Sequence, residues 1–266
     1  MSYGIIIPAR EEMTILRQVL EAAAAQTLQP RQIILVDDGC DGDVESLCRF
    51  LGVEYYRFPM RHRESWVSRP ELALVHNFGL GRLDKKLDWF MILASDTVLE
   101  RRYAEKVIQK MVEKNLVIAS GRIVGEDSNT PRGSGRIYAA WFWKRYIRKF
   151  PLIYAWESYP LYKAMSMGYR VGVVENALMR VLRPTRNYKP FYGYAMRELG
   201  YHPIYVLGRI ILAMKKNPKT ALQMLQTYIT GSKYKLEDDD LKRFIKNYQS
   251  KRILEHLKSP PFFWRR

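Results

Sequence analysis

The chain has 266 residues, 47% hydrophobic and 27% charged, which suits one large domain or one domain with an appendage and excludes a disordered chain. With 44 basic and 27 acidic residues the formal net charge is +17, a field that favours anionic partners such as nucleotide phosphates, nucleic acid or anionic lipid. Two cysteines (Cys40, Cys48) make no disulfide framework, and the scattered histidines His62, His76, His202 and His256 have no metal-ligand spacing.

In chain order, "YGIIIP" is a short apolar strand closed by Pro8. "EEMTILRQVLEAAAAQ" follows with apolar residues at helical spacing (Met13, Leu16, Val19, Leu20, Ala23), and Glu11 and Glu12 are placed in its first turn. "RQIILVDDG" predicts a buried strand ending in two acids and a glycine. "VESLCRFLG" predicts a helix, "VEYYRF" a strand, Pro70 to Arg82 a helix, and "LDWFMILA" a strand that stops at the polar turn Ala94-Ser95-Asp96. "ERRYAEKVIQKMVEKN" predicts a helix and "LVIASGRIVG" a strand. "EDSNTPRGSGR" predicts a loop, "IYAAWFWKRYIRKF" is aromatic and basic, and "WESYPLYKAMSMGYRVGVV" predicts a short helix leading into a strand. From Asn187 the chain is rich in Tyr, Lys and Arg and predicts helices, the last over Leu241 to Leu257 with "EDDD" as capping charge.

Alternating strand and helix signals imply an α/β fold with a mainly parallel central sheet and helices on both faces. Ligands of such sheets bind beyond the carboxyl ends of the strands. "PAREE", "VDDG" and "ASD" all fall there, on three separate strands. The expected organisation is residues 1–186 as an α/β domain with halves 1–125 and 126–186, and 187–266 as a helical, basic C-terminal extension.

"IIIPAREE", "ILVDDG", "HNFGL" (His76 to Leu80), "ILASD" and "WESYPLYKAMSMGYRV" together resemble the family 2 glycosyltransferases, with the GT-A nucleotide-diphospho-sugar transferase fold. The resemblance spans roughly Tyr3 to Val174. It implies that residues 1–186 are the catalytic domain, with 1–125 binding a nucleotide sugar and 126–186 the acceptor. It implies transfer of a sugar from a UDP- or GDP-sugar with inversion at the reacting carbon. It implies that Pro8, Arg10 and Glu12 line the base and ribose pocket and that Asp37 and Asp38 contact base or ribose. It places Ser95 and Asp96 at the donor, with Asp96 holding a divalent Mg²⁺ or Mn²⁺ against the diphosphate, a Lewis-acid role suited to oxygen ligands. Glu157 is implied as the general base on an acceptor hydroxyl.

Two positions depart from the family pattern. Ala94 stands where the family has a further acid, and Glu157-Ser158 stands where it often has Glu-Asp. The first predicts weak metal binding without nucleotide. The second is harmless if the acceptor is a lipid phosphate, already ionised at neutral pH. The alternative is a non-catalytic sugar-nucleotide or glycan-binding relative. Arg132 and Arg136 of "PRGSGR", and the basic loop Arg61 to Pro70, are candidate contacts to the diphosphate or an anionic acceptor.

No basic leader precedes the first strand, and "PIYVLGRIILAM" is too short to span a bilayer and holds Arg209. The expected location is cytoplasmic, peripheral at the inner face of the membrane, with contact through Leu241, Phe244, Ile245 and Tyr248 of the last helix and "SPPFFWRR" after it. No nucleic-acid motif accompanies the charge, and acids at the strand ends oppose a phosphate-backbone groove.

Overall fold

The computed structural model describes residues 1–10, 12–60, 68–183 and 191–258, with the backbone alone for 256–258. Glu11, residues 61–67 of the basic loop and the terminal "SPPFFWRR" lie outside them. The described residues form two compact units: 1–60, 71–150 and 167–183 in the first, and 68–70, 151–166 and 191–258 in the second. The segment carrying Glu157 thus groups with the C-terminal helices.

The first unit is built on one eight-stranded sheet in the order β3-β2-β1-β4-β7-β6-β8-β5. Strands β1 (Tyr3–Ala9), β2 (Gln32–Asp37), β3 (Glu54–Arg57) and β4 (Trp89–Ile92) are parallel neighbours, as the βαβ pattern predicts. Beyond β4 the sheet is mixed. β7 (Arg136–Ala139) runs antiparallel to both β4 and β6 (Leu116–Ile123), β8 (Arg170–Val181) is parallel to β6, and β5 (Thr97–Leu99) is antiparallel to β8. Parallel pairs therefore outnumber antiparallel ones only four to three among the described residues. The sequence pattern misses β5 and β7 because each is three or four residues long and is paired by distant segments.

Alternation along the strands sends side chains to two faces. Ile5, Ile7 and Leu35 pack with Leu16, Val19 and Leu20 of α1 (Met13–Ala24) and Val107, Ile108 and Met111 of α4 (Tyr103–Lys114). α2 (Val44–Phe50) joins the same core through Val44, Leu47 and Cys48. Ile6 and Val36 face α3 (Leu72–Leu80), where a Cβ on Gly79 would sit 2.7 Å from Ile6 and 3.0 Å from Val36. That close approach gives the glycine of "HNFGL" a packing reason. Its Asn77 clamps Phe150, donating to the carbonyl at 2.9 Å and accepting from the amide at 2.8 Å. His76 is buried beside Leu72 O, and burial pulls its pKa down to about 4, so it is neutral at pH 7. The aromatic stretch after β7 runs through α5 (Ala140–Phe142) and a π-helical turn, Trp143–Ile147, and Trp143 packs with Phe90, Tyr138 and Phe150.

The second unit holds α6 (Tyr159–Ser166), α7 (Tyr192–Glu198), α8 (Pro203–Lys216), α9 (Pro218–Thr230) and α10 (Asp239–Lys258). Asp238 caps α10 by accepting from Leu241 N at 3.1 Å and pairs with Lys163 of α6 at 2.7 Å. α10 packs on α6, and its Leu241 and Ile245 are fully buried. Those two residues of the expected membrane-facing stripe are therefore core, which corrects the assignment of that face to lipid.

Tyr103 ties the far half of the sheet together. Its buried hydroxyl donates to Gly135 O at 2.8 Å and accepts from Gly121 N at 2.7 Å. Tyr103→Phe leaves a buried donor and a buried acceptor without this partner and is expected to lower stability by about 2–3 kcal/mol, read as a lower urea midpoint with an unchanged m-value.

Candidate functional site

The parallel strands deliver their polar ends to one edge. Register pairs Ala9 of β1 with Asp37 of β2 and Ile6 of β1 with Ile92 of β4, so "PAREE", "VDDG" and "ASD" leave neighbouring strands in the same direction. Asp38 N donates to Ala9 O at 2.8 Å and Leu93 N to Ile6 O at 3.0 Å, extending the pairing to the rim of the site.

Asp37 is 5% exposed. Oδ1 accepts from Gly39 N at 2.8 Å and Cys40 N at 2.7 Å, and Oδ2 accepts from the Tyr55 hydroxyl at 2.6 Å. Burial pushes its pKa up, but these hydrogen bonds from Tyr55, Cys40 and Gly39 together outweigh it and hold the carboxyl below its ordinary value. Asp37 is thus committed to its own turn, where Gly39 has φ of +107°. Asp37 shapes the turn that ends β2, and Asp38 follows it at the rim of the strand. Arg10 lies against this turn, its guanidinium carbon 3.8 Å from where a Cβ on Gly39 would stand. Pro8 is half-buried at the end of β1. Glu12 occupies the N-cap of α1 without a side-chain capping bond, so it is not in the first turn as its sequence position suggests.

The turn after β4 is fixed on both sides. Ala94 N donates to Ser134 Oγ at 3.0 Å, Ala94 O accepts from Thr97 N at 3.1 Å, and Asp96 O accepts from Leu182 N at 2.8 Å. Ser95 is buried and Asp96 half-buried. Burial raises the Asp96 pKa above the ordinary carboxylate value, opposed by a hydrogen bond from Thr97 Oγ1 at 3.3 Å and by the charge of Arg183.

Arg183 is the residue that sequence reasoning misses. It lies two residues beyond the end of β8, and its guanidinium is 3.6 Å from Glu12 Oε1 while its charge acts on Asp96. Only the pairing of β8 with β5 brings it there, and no local motif marks it. The "PRGSGR" loop meets the site through its backbone and Ser134. Arg136 is 3% exposed and donates to Arg132 O and Pro131 O, each at 2.8 Å, so it holds the loop's shape rather than serving as a lid residue. Arg132 is partly exposed and pairs with Glu126.

Among the described residues no group of three His, Cys, Asp or Glu could hold a metal ion. A cation held at Asp96 would need its remaining ligands from phosphate oxygens and water. Glu157 belongs to the second unit, exposed in the turn before α6. That turn is anchored from below by Glu198, a buried carboxylate of α7 that accepts from Ala155 N at 3.2 Å and Ser232 Oγ at 2.6 Å.

Residues 4–177 match the family model described as glycosyl transferase family 2. The chain belongs to this family. It is a glycosyltransferase by descent and fold. Among solved structures it is similar to S. aureus TarS 1-349 in complex with UDP-GlcNAc, at 11% identity and a TM-score of 0.58 over 98% of this chain and 77% of that one. It is also similar to the mannosyltransferase PcManGT from Pyrobaculum calidifontis in complex with GDP-Man and Mn²⁺, at 14% identity and a TM-score of 0.58, over 91% of this chain and 67% of that one. Against the longer S. aureus TarS chain it covers 75% of itself but 40% of that chain, at a TM-score of 0.55. No protein of curated function matches it in sequence.

Burial pushes the Glu198 pKa up to about 7 against an ordinary 4.5, the bonds from Ser232 and the 154–155 amides opposing. The folded state then binds a proton that the unfolded state has lost, so the stabilising protonated form is fully present below about pH 4.5 and is lost as pH rises through about 7. Buried His76, held neutral, gains stability over the same pH range, so the Glu198 contribution is read as a difference: from about pH 5 to pH 8 the wild type is expected to lose roughly 2 kcal/mol relative to Glu198→Gln in urea midpoints.

Proposed function

We propose that this family 2 glycosyltransferase takes a UDP- or GDP-linked sugar at the carboxyl edge of β1, β2 and β4 and passes it, with inversion, to an acceptor nucleophile. The observation that carries this reading is the convergence at that edge of five charged residues, Arg10, Glu12, Asp38, Asp96 and Arg183, from four separate segments. Asp38 accepts from the N–H of the base or from the ribose hydroxyls, and Arg10 and Pro8 wall the same pocket. Arg183, held near Glu12 and Asp96, turns a bidentate cation toward the diphosphate. A divalent cation bound by Asp96 and the diphosphate would neutralise charge on the leaving group. With Ala94 offering no second carboxylate, Arg183 takes a share of that neutralisation. Arg132, at the mouth of the loop, is a further contact to the diphosphate or to an anionic acceptor.

Glu157 is exposed in the turn before α6, where a carboxylate can serve as the base that accepts the proton of an acceptor hydroxyl. A lipid-phosphate acceptor needs no such base, so Glu157→Gln separates the two acceptor classes. Activity reduced about 100-fold or more, in a folded variant that still binds nucleotide, assigns a glycan hydroxyl. Retained activity assigns a phosphate, as on a polyprenyl lipid at the inner face of the membrane. The reading as a non-catalytic binding relative is favoured by one observation, the lone carboxylate at Asp96. Donor hydrolysis that requires metal would exclude it.

Calorimetric titration of UDP and GDP with Mn²⁺, and again with EDTA, tests the donor site. One nucleotide is expected to bind, about tenfold more weakly in EDTA. Asp96→Ala is expected to abolish the response to metal, and Arg183→Ala to weaken binding in both conditions. Binding of neither nucleotide would sink the proposal.

A further inference from the structure

The α8–α9 hairpin carries an apolar face that its own packing leaves uncovered. Val206, Ile210 and Ala213 of α8 form a small shared core with Ala221, Met224 and Tyr228 of α9. The helices are joined through Asn217, which caps α9 by accepting from Thr220 N at 3.1 Å, so they pack as antiparallel neighbours. Ile204, Leu207 and Ile211 of α8 and Leu222, Leu225 and Ile229 of α9 are 39–64% exposed. Each triplet follows the i, i+3 or i+4, i+7 spacing of one helix stripe. At 100° per residue from the midpoint of the inward-facing Val206 and Ile210, the α8 stripe lies about 80–140° around its helix. From Ala221 the α9 stripe lies about 40–100° around. Antiparallel helices turn in opposite senses, so both stripes come to the same side of the hairpin.

An apolar patch of this kind marks an interaction surface, and its charge setting selects the occupant. Between Glu198 and Glu237 the chain has no acidic residue and six basic ones, Arg209, Lys215, Lys216, Lys219, Lys233 and Lys235. Lys215, Lys216 and Lys219 cluster at the tip of the hairpin and are all exposed. Large aliphatic side chains bordered by lysines, with no acid to repel phosphate, suit the headgroup–acyl boundary of an anionic bilayer. A second copy of the chain would bring two such basic faces together, against their mutual repulsion. Neither helix can cross a membrane, since no helix among the described residues is long and apolar enough. We infer that the α8–α9 hairpin docks flat onto an anionic lipid surface through the stripes of Leu207, Ile211, Leu222 and Ile229, with its tip lysines on the headgroups. This surface replaces the last helix as the point of lipid contact, and the inference does not depend on the transfer reaction.

Co-sedimentation of the full chain with vesicles tests it, using phosphatidylcholine alone and phosphatidylcholine with about one third phosphatidylglycerol, at about 0.1 M and 0.5 M salt. The wild type is expected to bind only the anionic vesicles and to be released by salt. Leu207→Glu/Ile211→Glu and, separately, Lys215→Glu/Lys219→Glu are expected to weaken binding at least about tenfold. Circular dichroism and nucleotide affinity are expected to stay unchanged, since all four side chains are exposed. Equal binding by wild type and both variants, or no binding by the wild type, would overturn the inference. So would a wild-type dimer in light scattering that Leu207→Glu/Ile211→Glu dissociates while vesicles bind nothing, since that assigns the face to a second copy.

Discussion

One buried hydroxyl fixes the half of the sheet on which the site depends. Tyr103 projects from α4 into the space between β6 and the loop before β7, where it accepts from Gly121 N and donates to Gly135 O. Both glycines are needed for that approach: a Cβ on Gly121 or Gly135 would stand 2.5 Å from the tyrosine ring or its hydroxyl. The loop so held presents Ser134 to Ala94 N, and the Ala94 turn presents Asp96. A backbone polar group buried without a partner costs more than most side-chain contacts contribute. The position of Asp96 therefore rests on a chain of satisfied backbone groups rather than on the carboxylate's own bonds.

The electrostatics of the donor edge divide the acids by task. Asp37 is ionised and saturated with hydrogen bonds, which makes it a building element of the turn. Asp96 is half-buried with few donors, so its charge is costly until a cation or Arg183 shares it. In the proposed donor site, Ala94 in place of a second acid leaves less negative charge to face a diphosphate, and a cationic side chain at position 183 suits that reduced set. The same logic runs in the second unit, where burial raises the pKa of Glu198 to about 7, beneath the turn that carries Glu157.

Surface character separates the two units as well. In the first, exposed large apolar side chains are scattered. In the second they line up on α8 and α9, while α10 buries Leu241 and Ile245 of its apolar stripe. An amphipathic stripe has no intrinsic partner, and tertiary packing decides whether protein or another surface covers it.

By itself the sequence determined the βαβ run from β1 to β4, the helices α1 to α4, the carboxyl-edge clusters and the family. These are local signals, because apolar periodicity and strand-ending turns act within a few residues. It also placed the Asp238 region as the cap of the last helix, since capping is local chemistry. Tertiary structure alone decided the rest. β5 and β7 exist because distant strands supply their hydrogen bonds. Arg183 joins the site because β8 ends beside Asp96. Arg136 turns from a candidate phosphate ligand into a buried clamp because two loop carbonyls needed donors, and Asp37 into a turn carboxylate because Tyr55 on the next strand reaches it. In each case the deciding partner lies on another segment, and no pattern along one stretch of chain can encode which segment arrives.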